Sequence, residues 1–315
     1  MTDDRSGSGL PPAARARMAE ITSSGTWSSA LSADEFTAIK SVGFEPVGLV
    51  LGAAVYNVGY IGGCAEGGAT AGGGVAGYAP PYRSVTTVSG MGTPGSNSPV
   101  VQMLYEARRA AIGRMSAECA QLGGHGVVGV SLTIGRFPAG GLEFKAIGTA
   151  VRAPGGVSLA QPFTSHLSGQ DFAKLIMAGW VPAGLVLGIS IGARHKDRLT
   201  ASQTSWGMRS CEVAGYTDLV NQTRHDARAQ LERDVTRLGA DGVVVSTMNT
   251  RVRERECMII EHLKDHIAEC SIVGTATAHF GEPHRRRARD SSLAILPLDP
   301  QRRQAARVHL GVGAR

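Results

Sequence analysis

The sequence has few cysteines, few aromatic residues and few charged residues. Five cysteines are scattered through 315 residues, an odd number that argues against a secreted disulfide framework and favours a reducing cytoplasm. Aromatic residues make up only 5% of the chain, and no glycine-lysine-serine or glycine-lysine-threonine phosphate loop is present. Serine, histidine and acidic residues occur without an ordered triad signature. The sequence therefore offers no catalytic constellation, and we do not expect an enzyme.

Charge is concentrated at one end of the chain. The net charge is +6, and residues 281–315 hold eight arginines against three acidic residues, which leaves +1 for residues 1–280. The body of the protein is thus not a basic, nucleic-acid-binding surface. Hydrophobic residues reach 43%, which excludes a wholly disordered chain, and the length predicts two domains or one large one.

No signal peptide and no transmembrane span are expected. Residues 46–65 run for twenty positions without a charge, which is the length of a membrane span. Five glycines interrupt that run, and the matching stretch from Pro182 meets Arg194, His195 and Lys196 after about a dozen residues. We therefore expect a cytoplasmic protein.

Glycine is abundant, with 42 residues, and much of it belongs to an internal repeat. Residues 32–52 match residues 168–188 at an offset of 136, including the strand-like Gly48-Leu-Val-Leu-Gly52. Residues 122–128 match 238–244 at an offset of 116, and Gly148-Thr-Ala150 matches Gly274-Thr-Ala276 at 126. Three blocks in the same order indicate a duplication, and we call the two parts the first and second copy.

Each copy is predicted to contain a short helix, a strand, a long helix and a β-hairpin. Ser32 with Glu35 and Ser168 with Asp171 have the spacing of helix N-caps, and Gly43 and Gly179 can end those helices. The long helices keep apolar residues at helical spacing up to the glycines at 123 and 239. The hairpin strands are expected over residues 126–134, 142–151, 242–252 and 267–278.

These three blocks resemble the YbjQ-like family, whose label is putative heavy-metal-binding. The resemblance depends on Gly48–Gly52, on Leu238–Val244 at the end of the second long helix, and on the closing Gly-Thr-Ala of each copy. It implies a small dodecin-like α+β fold that assembles into rings, commonly of five, without an established enzymatic activity. The first copy departs from the family at Gly124-His125, where the second has Ala240-Asp241.

The expected organisation is two tandem YbjQ-like domains between disordered tails. The boundaries are a disordered tail over 1–30, a first domain over 31–153 with a glycine-rich insertion at 53–97, a linker over 154–166, a second domain over 167–280 and a basic tail over 281–315. The basic tail contains an apolar segment, residues 293–298, and is expected either to be disordered or to dock on a protein or a polyanion.

The best metal candidates lie in the second predicted hairpin. A turn at residues 263–265 would place His262 opposite His266, with Glu261, Asp265 and Cys257 as further donors. Cys270 stands too far along the strand to join them, and we expect Cys270 and Cys119 to be core residues instead. An ordinary solvated hairpin tip is the alternative. His125 and Asp241 form a second candidate pair, for which a structural role at a turn is preferred.

Two functions remain open on these grounds. The first is a non-enzymatic, ring-forming binding or scaffold protein, a homo-oligomer with no certain cofactor. The second is a metal-handling protein that holds a divalent transition metal through the histidine-containing hairpin. A glycine pattern at residues 72–77 formally fits a dinucleotide loop, but the tyrosine and prolines that follow do not begin a helix.

Overall fold

Both copies fold as predicted, into a short helix, a long strand, a long helix and a hairpin. The computed structural model describes residues 10–25, 28–57, 86–89, 98–138, 140–155, 159–196, 198–205, 210–256 and 264–280. The N-terminal elements are α1 (Pro12–Ser24), α2 (Ala33–Ser41), β1 (Glu45–Asn57), β2 (Thr86–Ser89), α3 (Ser98–Gln121), β3 (Gly126–Phe137) and β4 (Gly141–Arg152). The remaining elements are β5 (Phe163–Thr164), α4 (Gly169–Met177), β6 (Trp180–His195), α5 (Arg198–Gln203), α6 (Ala214–Arg237), β7 (Gly242–Glu256) and β8 (Lys264–His279).

Two four-stranded sheets carry the fold, which confirms the α+β class. The first has the order β1-β4-β3-β5 and the second β2-β6-β8-β7. The last strand of each copy pairs antiparallel with the first strand on one side and with its hairpin partner on the other. The long helices α3 and α6 pack on these sheets. Residues up to Phe280 belong to one compact unit, and residues 281–315 lie outside the described residues.

The short helices begin at the predicted serine caps. Ser32 Oγ accepts from Glu35 N at 3.3 Å, and Glu35 Oε2 accepts from Ser32 N at 2.8 Å, which completes a capping box. The hydrogen bond from the Ser32 amide lowers the pKa of Glu35. Ser168 Oγ accepts from Asp171 N at 3.1 Å in the second copy. Gly43 and Gly179 follow these helices with φ of 83° and 82°, as predicted for glycine at these positions.

The glycines of the repeated strand allow the long helices to approach closely. A Cβ added at Gly52 would lie 1.8 Å from the Ala111 carbonyl oxygen of α3. A Cβ at Gly188 would lie 2.1 Å from the Ala227 carbonyl oxygen of α6. Both contacts are with backbone atoms, so neither helix can accommodate a side chain by a rotamer change. The second glycine of the Gly-hydrophobic-Gly pattern is thus a packing requirement of each copy.

The expected core cysteines are confirmed. Cys119 on α3 is fully buried, and Cys270 on β8 is 1% exposed. Burial raises the pKa of the Cys119 thiol to about 12, and it also raises the pKa of Cys270. Such thiols stay protonated and act as small apolar residues.

The threonine of each Gly-Thr-Ala motif holds the segment that precedes the short helix. Thr149 Oγ1 accepts from Ala30 N at 3.1 Å and lies 3.2 Å from Ser29 Oγ. In the second copy, Thr275 Oγ1 accepts from His166 N at 3.1 Å and lies 3.4 Å from Ser165 Oγ. The motif therefore ties the last strand of a copy to the beginning of that same copy.

The turn residues His125 and Asp241 also occupy equivalent structural positions. His125 Nδ1 accepts from Ala153 N at 3.0 Å, and Asp241 Oδ2 accepts from His279 N at 3.0 Å. The His125 side chain thus binds the backbone just after β4, and the Asp241 side chain binds the backbone at the end of β8. The structural role preferred from the sequence is what the two side chains perform.

The two copies are joined where the start of the second pairs with the sheet of the first. β5 lies parallel to β3, with Gly126 opposite Phe163 and Val127 opposite Thr164. The Phe163 ring covers Gly126, where an added Cβ would lie 2.2 Å from the ring. Around this contact a cluster buries Val128, Val151, Leu167, Phe172 and Ile39. Part of the stretch expected as a linker is therefore a strand.

The N-terminal segment expected to be disordered contains a helix. α1 spans Pro12–Ser24, and Leu10 and Met18 are 7% and 4% exposed. Arg17 Nη2 donates to Glu118 Oε2, whose carboxylate also accepts from Leu51 N at 2.8 Å. Alanine, arginine, methionine and glutamate in this segment favour a helix, whereas its apolar side is too narrow to give a clear pattern. The expected insertion also contains strand residues, because β1 runs on to Asn57 and β2 spans Thr86–Ser89.

Candidate functional site

The predicted position of the second hairpin turn is wrong. Lys264 and Asp265 are already in β8, where they pair with Glu256 and Arg255 of β7. His266 stands opposite Glu254 on one side and Arg194 on the other, and therefore not opposite His262. β7 extends further than the sequence predicted. Its final residues alternate arginine and glutamate, so they lack the hydrophobic periodicity that indicates a strand. Of the other candidates, Cys257, Glu261 and His262 lie outside the described residues.

His266 lies in a polar cluster with Tyr216 and Glu254. Its Nε2 is 2.8 Å from Tyr216 Oη and 3.1 Å from Glu254 Oε1, and its ring centroid lies 4.4 Å from that of Tyr216. The side chain is 5% exposed, and its Nδ1 is buried without a hydrogen-bond partner in the described structure. Nε2 is already engaged, so a metal ion bound to it would have to displace Tyr216 or Glu254.

Opposite charges surround this histidine. Lys264 Nζ is 3.1 Å from Glu254 Oε2, and this contact, followed by that with His266, lowers the pKa of Glu254. Asp265 is 1% exposed, with Arg255 Nη2 3.6 Å from its Oδ2. Because adjacent strand residues point to opposite faces, Asp265 and His266 cannot serve one ion. The structure brings together His266 and Glu254, a pair that the sequence did not indicate.

A shallow pocket of about 380 Å³ opens beside this cluster. Its lining is largely apolar and includes Leu219, Val220 and Val252 next to Tyr216 and His266. Among the described residues, no group of three or more histidine, cysteine, aspartate or glutamate side chains is placed to hold a metal ion.

A serine that formally fits a hydrolase pattern has a structural environment. Ser190 lies in Gly188-Ile-Ser190-Ile-Gly192, but this stretch is the middle of β6 and not a strand-to-helix turn. The residue is fully buried, and its Oγ donates to Asp226 Oδ2 at 2.8 Å. It therefore lacks the exposed position that a nucleophile requires.

The β7 edge is a second candidate surface, which sequence reasoning missed. β7 is the last strand of its sheet within the described residues, whereas its counterpart β3 is covered by β5. Four of its large apolar residues are exposed, by 40% to 52% of their surface: Val244, Val245, Met248 and Val252. The equivalent of Val244 in the first copy, Val128, is fully buried. Exposed edge strands with apolar side chains favour pairing with another strand.

Gly242 marks the same contrast at the start of β7. A Cβ added there would meet only Thr277 Oγ1, at 3.6 Å. At the equivalent Gly126, the ring of Phe163 fills that space. The repeat could have indicated this difference from the sequence. It predicts two equivalent sheet edges, whereas the chain contains an internal segment that covers only one of them.

No described helix has the length and apolar character needed to cross a membrane.

Comparisons with known proteins agree with the resemblance seen in the sequence. A family model described as "Putative heavy-metal-binding" matches residues 83–154. A UPF0145 protein of Clostridium perfringens is 42% identical over 57 residues, which cover 18% of this chain and 54% of that protein. No solved structure matches the chain.

A longer match extends over most of the chain. An encapsulin nanocompartment protein of Mycobacterium tuberculosis is 33% identical over 244 residues, covering 75% of this chain and 82% of that protein. The fold defines an α+β protein in which helix, strand, helix and hairpin occur twice. The chain belongs to the family of this mycobacterial protein.

Proposed function

We propose that the protein is a non-enzymatic scaffold or binding protein that assembles into rings of identical chains. The observation that carries this proposal is the 33% identity, over 75% of the chain, to a protein named for an encapsulin nanocompartment. The exposed apolar edge of β7 supports it, since such edges are normally covered. The dispersed buried serine, histidine and acidic residues give no support to a catalytic alternative.

The proposal includes a second YbjQ-like copy over residues 167–280, beyond the matched residues 83–154. Its support is the recurrence of specific contacts at the repeat offsets. Thr149 and Thr275 hold the preceding segments in the same way, and Gly52 and Gly188 meet their helices at the same point. An unrelated second domain would not reproduce these contacts.

Mass in solution tests the assembly. We expect light scattering to give a discrete oligomer at micromolar concentration, with five chains the number that the family resemblance suggests, and electron microscopy to show closed rings. The physical reason is that each small sheet leaves apolar surface that a single chain does not cover. A monomer at micromolar concentration would refute the proposal.

Metal handling is the second candidate function, supported by the description of the matching family and by the burial of His266 beside Glu254. His262 and His266 are the proposed ligands, with Glu261 and Cys257 as weaker candidates, whereas Asp265, a candidate from the sequence, points to the opposite face of β8 from His266. The engagement of His266 with Tyr216 reduces the affinity that such a site can reach. A divalent transition metal, if bound, would therefore be held loosely.

Calorimetric titration of chelator-treated protein with zinc or nickel tests this site. We expect folded protein after chelation, weak binding, and loss of that binding in the double variant His262→Ala, His266→Ala. His225→Ala is the matched control, because His225 is an exposed histidine on α6. Tight stoichiometric binding that survives the double variant would show that other residues are the ligands, and unfolding by chelator would show a structural metal.

Two further expectations remain part of the proposal. A cytoplasmic location agrees with the described cysteines Cys119, Cys211 and Cys270, which are all free thiols. Docking of the basic tail, residues 281–315, on a protein or polyanion is proposed from its arginine content alone.

A further inference from the structure

We propose that α1 is an autoinhibitory cover, which occupies in the single chain a surface that a helix of another chain takes when chains assemble. This inference rests on the proposed assembly and names a device that regulates it. The surface is the outer face of the first sheet, on the side away from α3, and it includes Leu49, Leu51, Ala53 and Val55 of β1. The contact of α3 with the second sheet provides the template.

The second sheet carries a helix on its equivalent face. Val101 and Tyr105 of α3 pack against Leu187, Ile189 and Ile191 of β6, and all five side chains are at most 4% exposed. The Tyr105 hydroxyl also binds the part of the β6 edge that β2 does not cover. It accepts from Ile189 N at 2.8 Å and donates to Leu187 O at 3.4 Å. This helix therefore closes both the face and the edge of the strand.

The first sheet is covered less completely at the same place. By the offset of 136, Leu51, Ala53 and Val55 correspond to the three β6 residues that α3 buries. Leu51 and Ala53 are only half-buried, and Val55 is 50% exposed. Among the described residues, side chains bind Leu51 N and Ala53 O, but none binds Leu51 O or Ala53 N, the equivalents of the groups that Tyr105 binds. The first sheet thus leaves open what its counterpart closes.

The α1 segment stands at this open surface. Leu10 and Ala14 line a cavity of about 320 Å³ together with Leu51 and Ala53 of β1. Leu10 and Met18 are 7% and 4% exposed, so the segment is packed on the protein. The cavity shows that α1 does not fill the surface as α3 fills the equivalent one. A contact that leaves such a gap is weaker than a close-packed one and is easier to displace.

An acidic residue at the same repeat position lies beside each of the two helices. Arg17 Nη2 of α1 donates to Glu118 Oε2 at the first sheet. By the offset of 116, Glu118 corresponds to Asp234 at the second sheet. Burial, together with the negative charge of Asp234, raises the pKa of Tyr105, which places this acid near the hydroxyl of the covering helix. α1 therefore meets the first copy where α3 meets the second.

The helix of another chain that matches the template is α6. Its Asn221 corresponds to Tyr105 by the offset of 116 and is exposed. An asparagine amide both donates and accepts, so it can bind Leu51 O and Ala53 N together, as the tyrosine hydroxyl binds their equivalents. α1 and this helix cannot occupy the surface at once. The affinity between chains is therefore lowered by the fraction of chains in which α1 is docked.

Charge reversal in α1 tests the cover in the full chain. Arg17→Glu with Met18→Asp puts one acid beside Glu118 and another at a buried position, which should release α1. We expect the midpoint concentration of assembly, followed by light scattering and mass photometry over a dilution series, to fall at least tenfold. Arg15→Glu with Ala16→Asp is the matched control, because it makes the same charge change at exposed positions of the same helix. A midpoint equal to that of the control, or higher, would overturn the proposal.

Trypsin digestion of the wild type tests the same movement without a variant. Trypsin cleaves after arginine where the chain is locally open, and α1 contains Arg15 and Arg17. Assembled and single chains are separated by size exclusion and digested under the same conditions. We expect cleavage within α1, measured by mass spectrometry, to be at least threefold faster in the assembled chains. Equal or slower cleavage there would show that α1 stays docked and would reject the cover.

The outcomes separate this inference from the proposed function. An assembled wild type whose midpoint the charge reversal leaves unchanged, and whose α1 stays protected, would reject the cover and leave the assembly standing. A wild type and a charge-reversed variant that both remain single chains would reject both. Circular dichroism checks that each variant is folded, and if the charge-reversed variant unfolds, digestion of the wild type decides.

Discussion

Gly188→Ala is expected to destabilise the fold strongly. The new methyl group would lie 2.1 Å from the carbonyl oxygen of Ala227, a backbone atom in the middle of α6. Because the overlap can be relieved only by moving the helix away from β6, we expect a loss of about 3 kcal/mol or more in the free energy of unfolding, the upper range for overpacking. Urea unfolding followed by circular dichroism measures the change.

Gly135→Ala is the control for this experiment. Both residues are strand glycines, but the added methyl at Gly135 has its nearest neighbour 4.0 Å away. The control should be neutral or slightly stabilising, since alanine reduces the entropy of the unfolded chain. Equal stability of the two variants would show that the α6 contact is not as close as the structure has it.

Thr275→Val is the second substitution with a large expected effect. The hydroxyl accepts from His166 N and also lies 2.7 Å from His166 Nδ1, and the threonine is fully buried. Burial lowers the pKa of His166, which keeps the ring neutral and its Nδ1 able to accept. Valine preserves the shape but leaves these groups without their partner, and we expect a loss of about 2–3 kcal/mol. Thermal unfolding and urea titration measure it.

Thr149→Val provides the matched comparison. Its hydroxyl performs the same task, but its partners Ser29 and Ala30 retain exposed surface, so water can replace part of what is lost. In protein diluted below its assembly concentration, this variant should lose less stability than Thr275→Val. If the two losses are equal at every concentration, the difference in burial has no energetic consequence.

Much of the fold could be predicted because the sequence pattern of each element occurs twice in the chain. A serine cap at Ser32 alone is a weak signal, but the same cap at Ser168, followed by the same glycine at the helix end, is a strong one. The Gly-hydrophobic-Gly strand and the buried cysteines followed from the same comparison. These features depend on local spacing and on which side of an element is apolar, and both are visible in sequence.

The candidate site was less predictable, for physical reasons. The final residues of β7 are alternately basic and acidic, and their strand conformation is imposed by pairing with β8 rather than by hydrophobic periodicity. The predicted pairing partner of His266 depended on where β7 was expected to end, and it was therefore wrong. Tyr216 reaches His266 from α6, fifty residues earlier in the chain, and no spacing rule connects the two. The helix α1 was missed because its stability depends on Met18 and Arg17 packing against distant residues.

The pairing of β5 with β3 does not depend on the concentration of the protein. Because both strands belong to one chain, the contact between copies forms at an effective concentration near millimolar for a short connection, regardless of how much protein a cell contains. The same contact between separate chains would depend on their concentration. A cell that makes little of this protein would thus still form this contact in every chain as soon as the chain folds.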